Sequence, residues 1–436
     1  MWIHILEGTE TRSAPATAKN PSCAALCAAT ASDPTHLLFF SGVPLSCKAT
    51  SCTDKKGSES TDAWMILCHC TSKRAREVDR PRMRSCTDAG QAKTLLVFNC
   101  HEPWVHQLGV LGYALDIIVG LRGKYNKGWD YQMRPLPAGS RLVTLPQALQ
   151  SPTPYYCIIA HNTTDLLDVR SRPEPRLIVL HHTLEGWLAE EGSHIDPQQM
   201  KDTLRTYLEL TGGHAVATSM FKGESWGLTE DIVHFGVDVD AYLPYSGHNP
   251  AGLRICNFIS SRRKILLWDL HERAFAGLPV TLVGHNPDLP GVQAARDWDH
   301  LKRILQSHRF YIHTADPRYE AGHNMATAEA MAAGLPVLGN RHPTSPIKHG
   351  VNGFLSDDPA ELRRYAQILL DDRRLAQMMG QQARKTVAER FSLNRFKHAF
   401  LRSIEIARRK WYTRKVDLVS LPRGLAAANP SGAART

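Results

Sequence analysis

The feature that most constrains the fold is an alternation of short apolar runs with helical segments. Runs such as YYCIIAHN and RLIVLHHT end in polar residues, as a buried strand does where its chain reaches the edge of a sheet. The runs, in chain order, are LLVFN, DIIVGL, YYCIIAHN, RLIVLHHT and HAVATS, then LRICNFIS, LPVTLVGHNP, RFYIHTAD and LPVLGN. Such alternation predicts parallel sheets covered by helices, with ligands at the carboxyl ends of the strands. We therefore predict an α/β protein with two doubly wound parallel-sheet domains facing across a cleft.

The domain boundaries follow from the same pattern. Residues 1–93 are rich in Ser, Thr, Ala and Cys and show no sustained period, which predicts a poorly structured extension or a misassigned start site. We expect an N-terminal domain over 94–235 and a C-terminal domain over 236–395. A last amphipathic helix and a frayed tail should occupy 396–436.

Bulk properties restrict the class of protein. The chain has 436 residues, 43% of them apolar and 22% charged, as in ordinary globular proteins. No apolar stretch of membrane-spanning length occurs, and the start lacks the basic and apolar regions of a signal peptide. A cytoplasmic location is therefore expected.

The net charge of +10 is compatible with several anionic partners. No basic stripe carries interleaved aromatic residues, so we expect no nucleic-acid partner. The basic and aromatic end of the last helix, RRKWYT, leaves open a peripheral contact with the inner face of a membrane.

Cysteines divide the chain, because seven of the ten precede Lys93. The motif CHC at 68–70 and the pair Cys47 and Cys52 lack the spacing of a zinc site. The later cysteines, Cys100, Cys157 and Cys256, are widely spaced and predicted to be small buried hydrophobes. We expect neither a metal nor a cofactor.

Histidines and one carboxylate follow the predicted strands, where a site would form. They are His101, Glu102, His161, His181 and His182. Each has the alternative of a capping or packing role, which is common at strand ends.

The segment YEAGHNMATAEAMAAGLPVLGNR, residues 319–341, predicts a loop, a helix and a buried strand. Asn324 suits the N-cap and Gly334 the left-handed position after the helix. The N–H groups from Met325 onward would then attract phosphate. Glu329 lies one turn further along the same side and would accept hydrogen bonds from a pair of sugar hydroxyls. A solvated helix glutamate is the alternative.

Residues 94–412 resemble a GT-B glycosyltransferase of the retaining family 4 type, with two Rossmann-like domains. The resemblance is strongest over 310–358, in EAMAAGLPVLG and HGVNGFLSDDP. It implies that Glu329 is the second glutamate of an E-x7-E motif and binds the ribose of a nucleotide. The first glutamate falls on Ala321, and Glu320 stands one residue too far for it.

The resemblance also implies further donor contacts. Gly322, His323 and Asn324 take the place of the family's glycine loop near the diphosphate, next to Met325. The cations that bind the diphosphate in the family fall among Arg262, Arg263 and Lys264. Gly284 corresponds to a glycine beside the base or phosphate. A strand-end histidine, His182, would contact the donor sugar or the acceptor, and Glu320 would take the place of the missing catalytic carboxylate.

The resemblance predicts transfer of a hexosyl group from a UDP- or GDP-linked sugar to an acceptor hydroxyl, with retention and without metal. The acceptor is a glycan, a lipid-linked sugar or a small molecule. Ala321 keeps open a non-catalytic protein that binds nucleotide sugars, and the same fold also serves nucleotide-sugar epimerases.

Overall fold

The computed structural model describes residues 93–121 and 127–419, without the side chains of 415–419. The predicted N-terminal extension, apart from Lys93, and the predicted frayed tail from 420 onward lie outside the described residues, as do CHC and the pair Cys47 and Cys52.

The first sheet has six parallel strands in the order β3-β2-β1-β4-β5-β6. Its strands are β1 Thr94–Phe98, β2 Ala114–Val119, β3 Ser140–Thr144, β4 Cys157–Ala160, β5 Arg176–Leu180 and β6 His214–Ala217. The central strands β1, β4 and β5 are almost wholly buried, as expected for a parallel sheet covered on both faces.

Helices lie between these strands and after the last of them. They are α1 Glu102–Gln107, α2 Leu145–Gln150, α3 Thr163–Asp168, α4 Leu184–Glu191, α5 Pro197–Thr211 and α6 Met220–Trp226, with 3-10 turns at Leu108–Leu111 and Val239–Ala241. Asp196 caps α5, and the helix ends at Gly212 with a φ of 64°.

The second sheet has five parallel strands in the order β11-β10-β9-β7-β8. They are β7 Asn249–Ile255, β8 Val280–Val283, β9 His308–His313, β10 Val337–Gly339 and β11 Gly353–Leu355. The helices of this half are α7 Trp268–Phe275, α8 Trp298–Ser307, α9 Met325–Ala332, α10 Pro359–Asp371, α11 Arg373–Arg390 and α12 Leu393–Val419. The predicted architecture of two parallel-sheet α/β halves is confirmed.

The sequence analysis missed two strands, and each lies at the edge of its sheet. The edge strand β3 is half-buried and reads SRLVT, while β11 has only three residues. Neither forms the apolar run that marks a central strand, because an edge strand need not be apolar on both faces.

The last helix, α12, returns from the second half to pack on β5 and β6. Phe400 lies with its ring centroid 5.6 Å from that of Trp104. Near the helix end, the Arg408 guanidinium lies 3.5 Å from the centroid of the Tyr156 ring, and Lys410 Nζ lies 3.1 Å from His214 Nδ1. Part of the basic end of this helix therefore contacts the first sheet.

Candidate functional site

A cavity of about 280 Å³ lies where the carboxyl ends of the two sheets meet. Residues after β1, β5 and β6 line it from the first half, and residues after β7 and β8 with the start of α9 line it from the second. Ligands of doubly wound sheets bind at this edge. The volume is near the lower end for small-molecule pockets.

The start of α9 forms one wall of the cavity. The Asn324 side chain caps the helix by accepting a hydrogen bond from Thr327 N over 2.9 Å, so the N–H of Thr327 is not available to a ligand. Met325 and Ala326, at the first two helical positions, line the cavity. Gly334 follows the helix with a φ of 86°, as predicted.

Glu329 lies inside this wall and is only 6% exposed, which rules out the alternative of a solvated helix glutamate. Its carboxylate forms an ion pair with Arg134, whose side chain is also buried. Arg134 belongs to the segment between β2 and β3, so this ion pair joins the first half to α9. The Arg134 guanidinium also lies 4.6 Å from the centroid of the Trp298 ring, close enough for a cation–π contact.

A second cluster of charged side chains is centred on Glu320. Lys222 Nζ lies 3.2 Å from Glu320 Oε1, and the Arg262 guanidinium lies 3.9 Å from Glu320 Oε2. Arg262 Nε also donates to Glu190 Oε1 over 2.7 Å. Two cations therefore face two carboxylates, and this network has no net charge when His182 is neutral.

The protonation states in this network follow from burial and charge. Burial by itself raises the pKa of Glu320, but Lys222, His182 and Arg262 outweigh it and lower the pKa to about 2. Burial lowers the pKa of His182 to about 4, against the opposing effect of Glu190. At neutral pH the site thus holds a Glu320 carboxylate and a neutral His182 imidazole, whose Nδ1 lies 3.6 Å from Glu190 Oε2.

The three candidate diphosphate cations have different surroundings. Only Arg262 of the three lines the cavity. Arg263 is half exposed and pairs with Asp269 and Glu272, and Lys264 Nζ lies 4.8 Å from the centroid of the Tyr319 ring. Lys222, which the sequence analysis did not select, lines the cavity instead.

The candidate glycine loop is packed against its own domain. A Cβ on Gly322 would lie 2.7 Å from the His342 ring, and His323 Nδ1 lies 3.2 Å from Thr344 O. Neither Gly322 nor His323 lines the cavity, whereas Asn324 and Gly284 do. Gly284 has a φ of 142°, and a Cβ there would lie 2.2 Å from Cys256 O, so only glycine fits.

The structure thus brings together Glu329, Asn324, Met325, Glu320, His182, Arg262 and Gly284 around one cavity. Sequence reasoning missed Lys222, Glu190 and Arg134. Lys222 lies in the first turn of α6, five residues after β6, and so beyond the strand-end positions from which the histidines were selected. Arg134 lies in a segment with no periodic pattern and gave no signal.

The family model described as Glycosyl transferases group 1 matches residues 275–372. That range includes β8, β9, β10 and α9, and with them Glu320 and Glu329. No curated protein matches the chain.

Solved structures share the fold at low identity. HepE (Alr3699) of Anabaena, in complex with UDP and glucose, has a TM-score of 0.54 at 14% identity, covering 72% of this chain and 100% of that one. Sucrose-phosphate synthase of Thermosynechococcus elongatus has a TM-score of 0.50 at 14% identity, covering 75% and 100%. TarM of S. aureus has a TM-score of 0.44 at 14% identity, covering 57% and 54%, so the chain spans about half the length of TarM.

None of the described helices is long and apolar enough to cross a membrane. The two parallel sheets thus share the GT-B fold of these solved structures, and residues 275–372 are similar to the group 1 glycosyl transferases.

Proposed function

We propose that the chain transfers a hexosyl group from a UDP- or GDP-linked sugar to an acceptor hydroxyl, with retention and without a metal ion at the diphosphate. The observation that carries this proposal is the placement of Glu329. It is a buried carboxylate one turn into a helix whose N-terminus opens on the cavity.

This arrangement suits a nucleoside diphosphate. Glu329 would accept hydrogen bonds from the two ribose hydroxyls, and a charged acceptor makes such bonds strong. The N–H groups at the start of α9 would face the diphosphate, where the helix dipole also favours an anion. Lys222 and Arg262 add two cations held in place by buried carboxylates.

The reaction itself breaks the bond between the anomeric carbon and the phosphate oxygen and forms a bond from that carbon to the acceptor oxygen. The acceptor proton goes to the leaving phosphate, which gains negative charge as the bond breaks. Helix N–H groups and cations aimed at that phosphate stabilise the transition state more than the ground state. The glycosyl centre passes through an oxocarbenium-like state.

Glu320 and His182 would contact the sugar or the acceptor. Because the pKa of Glu320 is lowered to about 2, it would act as a hydrogen-bond acceptor or as a stabilising negative charge, and not as a proton donor. The His182 imidazole is neutral at neutral pH, so it offers one hydrogen-bond donor and one acceptor to hydroxyl groups.

UDP is the first nucleotide to test, since HepE, a protein of the same fold, was crystallised with UDP and with UDP-glucose. The acceptor remains a glycan, a lipid-linked sugar or a small molecule. Cys157 and Cys256 are unpaired thiols, which favours the proposed cytoplasmic location. The exposed remainder of the last helix, including Tyr412, leaves peripheral membrane contact as a prediction.

The test is calorimetric titration of the full-length protein with UDP, GDP, ADP and their common sugar conjugates. Glu329→Gln keeps the size of the side chain and removes its charge. We expect one nucleotide to bind wild type, and the variant to bind it about 10- to 100-fold more weakly, the cost of a hydrogen bond to a charged group. Glu209→Gln, at an exposed position on α5, is the matched control and should bind as wild type.

Product analysis then separates the three functions. Transfer to an acceptor panel, with no added Mg²⁺ or Mn²⁺ and with the anomeric configuration kept, supports the proposal. Binding without turnover would favour the non-catalytic alternative that Ala321 left open. Conversion of the nucleotide sugar without any acceptor would favour an epimerase. Equal binding by wild type and Glu329→Gln would contradict the ribose role.

A further inference from the structure

Three side chains with metal-binding atoms meet beside the cavity, outside the network described above. They are Cys100, His161 and His181, and their ligand atoms all lie within 4.8 Å of one another. His161 Nδ1 lies 2.9 Å from His181 Nε2, and Cys100 Sγ lies 3.9 Å from the same His181 nitrogen. We propose that this cluster is a zinc site with three protein ligands.

The topology of the first sheet explains why these residues meet. Cys100 follows β1, His161 follows β4 and His181 follows β5, and these three strands are neighbours in the sheet. Parallel strands bring their carboxyl ends to one edge, so side chains 81 and 20 residues apart in sequence converge. Neither spacing matches a zinc motif, which is why the sequence predicted no metal.

The distances fit a zinc ion after small movements. Zn–N bonds of about 2.0–2.1 Å and Zn–S bonds of about 2.3 Å at tetrahedral angles place the ligand atoms about 3.3–3.6 Å apart. The observed 2.9 and 3.9 Å bracket these values. The two imidazoles share a hydrogen bond, which needs one proton between their nitrogens. Zinc would displace that proton and bind both nitrogens.

The surroundings keep the ligands in the orientation that zinc needs. The Trp104 ring packs edge-on against both imidazoles, with centroids at 4.7 and 5.0 Å. Cys100 and His181 also line the cavity, which leaves the fourth position for water or a ligand in the cavity. Open sites with three protein ligands have this form.

The test is Co²⁺ titration of the full-length, reduced protein, followed by absorption spectroscopy. A thiolate bound to tetrahedral cobalt gives a charge-transfer band and intense d–d bands. Wild type and Cys157→Ser should show this signal, and Cys100→Ser and His161→Gln should each lose about one equivalent of it. Cys157 is the matched control because it lies on β4, fully buried, with the pKa of its thiol raised by burial to about 12. Every variant keeps the cysteines before Lys93, so their contribution cancels.

X-ray absorption of the Zn²⁺-loaded protein provides the second measurement. A shell of one sulfur and two nitrogens that is lost in Cys100→Ser supports the site, with circular dichroism and melting temperature showing that the variant is folded. If Cys100→Ser and His161→Gln bind the same amount of metal as Cys157→Ser with unchanged spectra, the proposal is wrong, and the two histidines share only a hydrogen bond. Neither measurement depends on glycosyl transfer.

Discussion

The ion pair between Arg134 and Glu329 should weaken nucleotide binding by an amount that can be measured. In the structure the carboxylate proposed for the ribose is already occupied by a guanidinium from the other half of the molecule. A ribose reaches Glu329 only if Arg134 moves away. The small size of the cavity, about 280 Å³, agrees with a site that this contact keeps partly closed.

The perturbation is Arg134→Ala. The two side chains are 4% and 8% exposed, and removal of one partner from a buried ion pair costs about 3–5 kcal/mol because the other charge stays buried. Tyr242 is also buried beside this carboxylate. Burial is the larger cause and the charge of Glu329 the next, and together they hold the pKa of Tyr242 well above its ordinary range. We expect the variant without nucleotide to melt on the order of 5–10 °C below wild type.

The same variant should bind nucleotide more tightly. If the ion pair holds most molecules closed, the apparent Kd of wild type is raised by the inverse of the open fraction. A closed state favoured by about 1.4 kcal/mol corresponds to a tenfold change. Arg134→Ala should therefore bind UDP or GDP about tenfold more tightly in calorimetry, and nucleotide should restore much of its lost melting temperature.

A double variant tests the pairwise origin of the effect. Arg134→Ala with Glu329→Gln removes both charges and should recover most of the stability lost by Arg134→Ala alone. A melting temperature of Arg134→Ala equal to that of wild type would show that the ion pair is not formed in solution. Weaker nucleotide binding by Arg134→Ala would also refute this reasoning, since Arg134 would then be a ligand of the nucleotide.

Two further predictions concern pH and close packing. The pKa of His182 falls from 6.5 in the unfolded chain to about 4 in the folded one, so the unfolded state binds more protons between these values. Stability should drop by up to about 3 kcal/mol as pH falls from 6.5 to 4, and His182→Gln should flatten the pH profile of the melting temperature over that range; an equally steep profile would contradict this assignment. A Cβ on Gly186 would lie 2.1 Å from Tyr319 O, so Gly186→Ala should force α4 away from the loop before α9, lowering the melting temperature and nucleotide affinity together. Gly186→Ala with unchanged affinity would show that this close approach does not position the site.

Much of the fold followed from local pattern. Central strands of a parallel sheet are buried on both faces. The strands in LLVFN, RLIVLHHT and RFYIHTAD could therefore be predicted from their apolar runs without any tertiary information. The cap at Asn324 and the left-handed Gly334 depend on neighbouring backbone groups only, and they too were predicted. The edge strand β3 and the short β11 were missed because such strands need no apolar run.

The candidate site was only partly predictable, for a physical reason. Glu329 and the strand-end residues could be selected because position along one element decides which edge they occupy. The tertiary structure alone decided that Arg134 pairs with Glu329, that Lys222 and Arg262 face Glu320, and that the Cys100, His161 and His181 side chains converge. These contacts join residues from distant strands and from both halves, and their energies depend on burial and mutual distance, which no local pattern of residues encodes.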